Sequence, residues 1–91
     1  MMELRQIKYF IEVAKREHVT EAANALHVAQ SAVSRQIFNL EEELGVDLFI
    51  REGRTVRLTR IGKIFLEHME RAINVIDDAT QVVEEYIDPE K

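Results

Sequence analysis

The sequence predicts a mainly α protein: a winged helix-turn-helix of three helices plus a two-stranded wing, followed by a long C-terminal coiled-coil dimerisation helix. Three observations carry this expectation. Apolar residues recur at three- and four-residue steps through three successive segments, two runs of β-formers flank a glycine between residues 48 and 58, and no proline interrupts the chain from Arg60 to Ile87. With 91 residues there is room for one compact domain and an appendage, but not for a second catalytic domain. Hydrophobic residues at 46%, against 3 glycines and 1 proline, favour a folded, helix-rich chain over a disordered one.

From Glu3 to Glu17, the residues Leu4, Ile7, Phe10, Ile11, Val13 and Ala14 form one apolar face, which predicts a first helix. Thr20 is the expected N-cap of a second, with Glu21 in its first turn, Ala22, Ala23 and Leu26 facing inward, and an end near His27. After a turn at Val28-Ala29-Gln30, the residues Val33, Ile37, Leu40 and Leu44 repeat until Gly45, predicting a third helix from Ser31. Leu48-Phe49-Ile50-Arg51 and Thr55-Val56-Arg57-Leu58 then pair around Glu52-Gly53-Arg54 as the wing. Thr59 caps the last helix, Arg60 to about Ile87, which would be ~40 Å long. Along it Phe65, Met69, Ala72, Ile76, Ala79, Val83 and Tyr86 alternate steps of four and three, the pattern of a seam against another helix and hence of a homodimer.

Composition narrows the function classes. There is no cysteine, so disulfides, cysteine-based zinc sites and thiol chemistry are excluded. His18, His27 and His68 lack the spacing of metal ligands, and no phosphate loop or nucleophile with a neighbouring base appears, so neither a metal, nor a cofactor, nor an enzyme is expected. No apolar run reaches ~20 residues and the start lacks a signal-peptide layout, which points to a soluble, cytoplasmic protein with no membrane partner.

The net charge of -5 counts against an anionic partner until its distribution is traced. Basic and acidic residues balance in residues 1–29 and in 30–62, and the acidic excess lies wholly in 63–91. A local basic patch around Arg51, Arg54, Arg57 and Arg60 therefore remains available.

If the third helix buries Val33, Ile37 and Leu40, helical geometry turns Ser31, Ser34, Arg35, Phe38 and Glu42 outward. Arg35 can donate two hydrogen bonds to guanine, Gln30 can pair with adenine, Ser34 suits either, and Ala32 can touch a thymine methyl, so double-stranded DNA is the expected partner. Thr20 and Ser31, at helix starts, and the wing residues Arg51 and Arg54 are the candidate phosphate contacts. Arg57 could face DNA or pair with a carboxylate of the neighbouring helix, and Phe38 could cover the wing or touch DNA sugars and methyl groups.

Ala22-Ala23, the run Ala29-Gln30-Ser31-Ala32-Val33-Ser34-Arg35-Gln36-Ile37, Leu40-Glu41-Glu42-Glu43-Leu44-Gly45 and Leu48-Phe49-Ile50-Arg51, at these intervals, make the chain resemble the LysR-type transcriptional regulators over nearly all of residues 2–88. The resemblance implies a bacterial regulator that dimerises through the long helix, forms a tetramer at full length and binds a palindromic site near a promoter. It divides the chain into a DNA-binding domain at 1–59, a linker and dimerisation helix at 60–87, and a hinge at 88–91 leading to an absent domain that binds a small-molecule effector. By family position Gln30, Ser31, Ala32, Ser34 and Arg35 match the reading segment, and Arg51 and Arg54 match the wing.

Two departures from the family pattern stand out. Where many members have proline this chain has Ser31, whose hydroxyl could cap the helix instead. At the wing exit Thr59-Arg60-Ile61-Gly62 replaces the common T-P-x-G, placing a cation at a helix N-terminus, where it is unfavourable unless a phosphate lies close. Arg60 is thus a further expected backbone contact.

Overall fold

The structure, a computed structural model, describes residues 1–90; Lys91, the last residue of the expected hinge, lies outside them. Four helices, α1 (Leu4–Arg16), α2 (Val19–Leu26), α3 (Gln30–Leu44) and α4 (Arg60–Ile87), surround and extend from a hairpin of β1 (Phe49–Glu52) and β2 (Thr55–Leu58). The architecture is the expected one. None of the described helices is long and apolar enough to cross a membrane.

In α1 the buried side chains are Phe10, Ile11, Val13 and Ala14, while Leu4 at its start is exposed and Ile7 only half-buried. Glu17 ends the helix in the left-handed conformation at φ 52, donating its N–H to the Val13 carbonyl. Ahead of the helix, the Met1 ammonium lies 2.7 Å from Glu43 Oε1, and that hydrogen bond raises its pKa above the ordinary value.

The start of α2 differs from expectation. His18, not Thr20, is the N-cap: its Nδ1 accepts from the Glu21 N–H at 3.1 Å, so an imidazole lone pair replaces the usual hydroxyl. Beginning at Val19 puts Val19, Ala22, Ala23 and Leu26 on one inward face, the first three fully buried, and leaves Thr20 exposed within the first turn. Burial of Val19 thus outweighs the capping preference of threonine.

The first turn of α3 is likewise one residue earlier than expected. Ala29 is the N-cap and offers no side chain; the Ala32 and Val33 N–H groups instead donate to its carbonyl, at 3.0 and 3.3 Å. Ser31 therefore lies inside the helix and does not cap it. Val33, Ile37 and Leu40 are buried as predicted, whereas Leu44, in the last turn before left-handed Gly45, clears the core and is exposed.

β1 and β2 pair antiparallel in the register Phe49 with Leu58, Arg51 with Val56 and Glu52 with Thr55. The turn between them needs a positive φ at its first position, which Gly53 supplies at φ 65. One edge of the wing is tied down, because the Val56 N–H donates to the Glu17 carbonyl at 3.0 Å. Its inward residues Phe49 and Val56 complete the core.

At the centre of that core Phe10, fully buried, lies 5.4 Å from the Phe49 ring and 5.2 Å from the Phe65 ring, centroid to centroid, the latter edge-on. Phe65, Leu66, Met69 and Ile73 of α4 pack on the same cluster. The first turns of the long helix are thus part of the domain, and burial of Phe65 and Met69 is already accounted for within one chain. Ala72 is half-buried, while Ile76, Ala79, Val83 and Tyr86 are exposed, Tyr86 at 87%.

Thr59 caps α4 as predicted, accepting from the Gly62 N–H at 3.0 Å, and its hydroxyl also donates to the Asp47 carbonyl at 2.9 Å. Gly62 is needed for space: a Cβ there would stand 2.2 Å from the Leu48 carbonyl oxygen. Gly62→Ala is expected to lose about 1–3 kcal/mol to the forced displacement, although alanine gains ~1 kcal/mol in helix propensity. Urea denaturation checks this, and a variant as stable as the parent would mean that the helix and Leu48 are not in such close approach.

Candidate nucleic-acid interface

Burial of Val33 and Ile37 on one side of α3 fixes what its other side presents. Gln30, Ser31, Ala32, Ser34, Arg35 and Phe38 line one shallow concave surface, bringing together every residue that the sequence assigned to the reading segment. Within it Gln30 Nε2 donates to Ser34 Oγ at 3.1 Å, one helical turn along. Phe38 is 57% exposed and stays on this surface rather than covering the wing.

A second cleft opens between the start of α2 and the wing. It is lined by Thr20, Gln30, Arg51 and Arg54, with His18 and Thr55 beside them, so Gln30 borders both surfaces. No carboxylate lines this cleft, and neither Arg51 nor Arg54 is in an ion pair among the described residues. Arg57 behaves differently. Its Nη2 lies 3.4 Å from Glu52 Oε2 in the same hairpin, so its carboxylate partner is in the wing and not on a neighbouring helix. Arg60, exposed at the first position of α4, lines neither surface.

What holds the wing at a set distance from α3 is Glu41, a residue that sequence reasoning counted only within the run from Leu40 to Gly45. Its Oε2 accepts from the backbone N–H groups of Leu48 and Phe49 at 2.7 and 3.2 Å. His18 is the other residue missed, having been weighed only as a metal ligand. Among the described residues no group of three or more His, Cys, Asp or Glu side chains comes together to hold a metal. A polar residue directly before Val19 and three before Glu21 was the available signal for its capping role.

Three helices, a wing, and a helix surface and wing cleft rich in hydrogen-bond donors define a winged helix-turn-helix protein. Residues 4–63 match the family model described as bacterial regulatory helix-turn-helix protein, lysR family, and the chain belongs to that family. It is 63% identical over 90 residues to the transcriptional dual regulator GltC of Bacillus subtilis, a match covering 99% of this chain and 30% of that protein. It is 47% identical over 81 residues to the probable cat1 operon transcriptional activator of Acinetobacter lwoffii, covering 89% of this chain and 26% of that one. The chain thus spans less than a third of either relative.

Among solved structures, that of the BenM DBD with catB site 1 DNA superposes with a TM-score of 0.91 at 37% identity, covering 96% of this chain and 97% of that one. The CbnR DBD–DNA complex gives 0.88 at 38% identity, covering 94% and 99%.

Replacing Glu41 by Ala leaves two partly buried N–H groups without their acceptor, at a cost of about 1–3 kcal/mol. The expected outcome is a lower urea midpoint, partly restored in Glu41→Gln, whose amide oxygen can accept at the same place. Equal stability of the alanine variant and the parent would remove the clamp from this account.

Proposed function

We propose that this chain is the DNA-binding part of a cytoplasmic transcription regulator, which binds a palindromic duplex site as a homodimer and discriminates sequence through α3. The observation that carries this is the single outward surface of Gln30, Ser31, Ala32, Ser34, Arg35 and Phe38, continuous at Gln30 with a carboxylate-free cleft bearing Arg51 and Arg54. A helix of this width fits a major groove, and an arginine, a glutamine and a serine on its exposed face match base edges. The similar BenM and CbnR structures, each a complex with DNA, support the same reading.

Roles divide by chemistry. Arg35, Gln30 and Ser34 read bases, Ala32 and Phe38 make apolar contacts to thymine methyls and sugars, and Thr20, Ser31, Arg51, Arg54 and Arg60 hold the backbone. Residues 1–59 with the first turns of α4 form the reading head, and the rest of the helix, to residue 87, joins two heads. The exposed apolar side chains Ile76, Ala79, Val83 and Tyr86, which find no cover within one chain, support dimerisation through α4.

Arg35→Ala should lose ~1–3 kcal/mol on the cognate duplex and far less on random sequence. Arg51→Ala should weaken both alike and lower the slope of log affinity against log salt by about one. Selection of bound duplexes followed by titration at several salt concentrations measures both. Equal loss on both duplexes for Arg35→Ala would sink its assignment as a base reader, and salt-independent retention of the parent would sink DNA binding altogether.

Ile76 and Val83 are exposed in the single chain, so lysine at both positions should leave the fold intact and abolish the dimer. Sedimentation at tens of micromolar is expected to give a dimer for the parent and a monomer for the double variant. A parent that sediments as a monomer contradicts the seam.

A further inference from the structure

His18 occupies two settings at once: its Nδ1 caps α2, and its ring lines the cleft between α2 and the wing. The first setting dictates its chemistry. A nitrogen that accepts a hydrogen bond from Glu21 N–H carries no proton, so the neutral ring carries its proton on Nε2. Nε2–H is therefore an obligatory donor, and it has no hydrogen-bond partner among the described residues. Held by the cap, the ring has lost most of its rotational freedom before any ligand arrives.

The second setting points to what that donor meets. His18, Thr20, Gln30, Arg51 and Arg54 can all donate into the cleft, whereas the Thr55 hydroxyl already donates to the Glu52 carbonyl at 2.9 Å. Two of them are guanidiniums, and no carboxylate competes for them there. Such a lining suits an anion with several acceptor oxygens and offers little to a cation or an apolar group. On the proposed DNA-binding reading, on which this inference rests, the available anion is the phosphate backbone flanking the groove that α3 enters.

We propose that His18 is a backbone-phosphate contact, donating from neutral Nε2–H, and that the cap on α2 is the device that holds it in the donating tautomer. It is a positioning residue that carries no base information. The contact therefore strengthens binding to every duplex alike, and because the ring is uncharged it does so without releasing a counterion.

His18→Ser separates this role from capping, since serine caps a helix start at least as well yet is too short to reach a phosphate while its hydroxyl accepts from Glu21. The variant should keep the parent's thermal midpoint. Its affinity for selected and random duplexes should fall about tenfold on both, with the salt slope unchanged. Arg51→Ala is the internal contrast, because there the slope itself falls by about one. His18→Ala loses the cap as well and is expected to melt earlier.

Parental affinity in His18→Ser would overturn the proposal, as would loss confined to the selected duplex or a drop of about one in its salt slope. If the parent shows no salt-dependent binding to any duplex, the DNA-binding reading itself fails, a result distinct from a parent that binds and a serine variant that binds equally.

Discussion

The geometry of the candidate interface depends on one short piece of backbone, Asp47-Leu48-Phe49, gripped from two sides. From α3, the Glu41 carboxylate takes the N–H groups of Leu48 and Phe49. From the start of α4, the Thr59 hydroxyl donates to the Asp47 carbonyl and the Thr59 N–H to the Leu48 carbonyl, while Gly62 lets the helix come down on that same carbonyl. The segment uses both its donors and its acceptors, so it has little freedom to slide. Together with the hydrogen bond from Val56 N–H to the Glu17 carbonyl, it ties the wing to the helices. The distance from Arg51 and Arg54 to Gln30 and Arg35 is thus set by a polar lock and not by the hydrophobic core alone. Core packing is non-directional and tolerates small shifts, whereas charge-assisted hydrogen bonds fix position.

The same junction explains how one long helix serves two purposes. Its first turns supply Phe65, Leu66, Met69 and Ile73 to a core centred on Phe10, which anchors the helix axis relative to α1. Beyond Ile73 its apolar residues are exposed among the described residues, on the projecting end of a molecule measuring 50 × 25 × 21 Å. The acidic residues Asp77, Asp78, Glu84 and Glu85 lie beyond Ile73, as does the C-cap Asp88, whereas Glu67 and Glu70 lie before it. The net charge of -5 therefore says little about the surface formed by α3 and the wing.

Much of this was legible in the sequence, because the elements are set by patterns that sequence displays directly. Period-3.6 apolar spacing located all three domain helices, and Gly45, Gly53 and Thr59 marked the turns and the cap where the structure has them. Thr20 was favoured as a helix start on local hydroxyl chemistry, yet burial of Val19 shifts the start of α2 upstream, to a cap of lower intrinsic preference at His18; α3 likewise starts upstream of Ser31, on Ala29. Tertiary packing outweighs the roughly 1 kcal/mol that separates good caps from poor ones. Glu41 was illegible for a different reason. Its partners are seven and eight residues away, across a loop whose path no local pattern reveals. The packing of Phe65 and Met69 on their own chain's core was hidden similarly, since a heptad records that a face is buried and not which chain buries it.

The upstream shift of α3 also bears on how the surface can discriminate. Because the helix starts at Gln30, that side chain lies one turn before Ser34 and the two are hydrogen-bonded to each other. Both groups are therefore partly satisfied when nothing is bound, which keeps the exposed surface from needing an arbitrary partner. On the proposed function, a base that offers Gln30 a bidentate pair repays the loss of this internal bond, and one that offers a single acceptor does not. The bond between Gln30 and Ser34 would then act as a threshold: it subtracts nearly the same amount from every sequence and leaves a net gain only where the fit is complete. Discrimination would arise as much from what the free helix already has as from what the bound duplex adds.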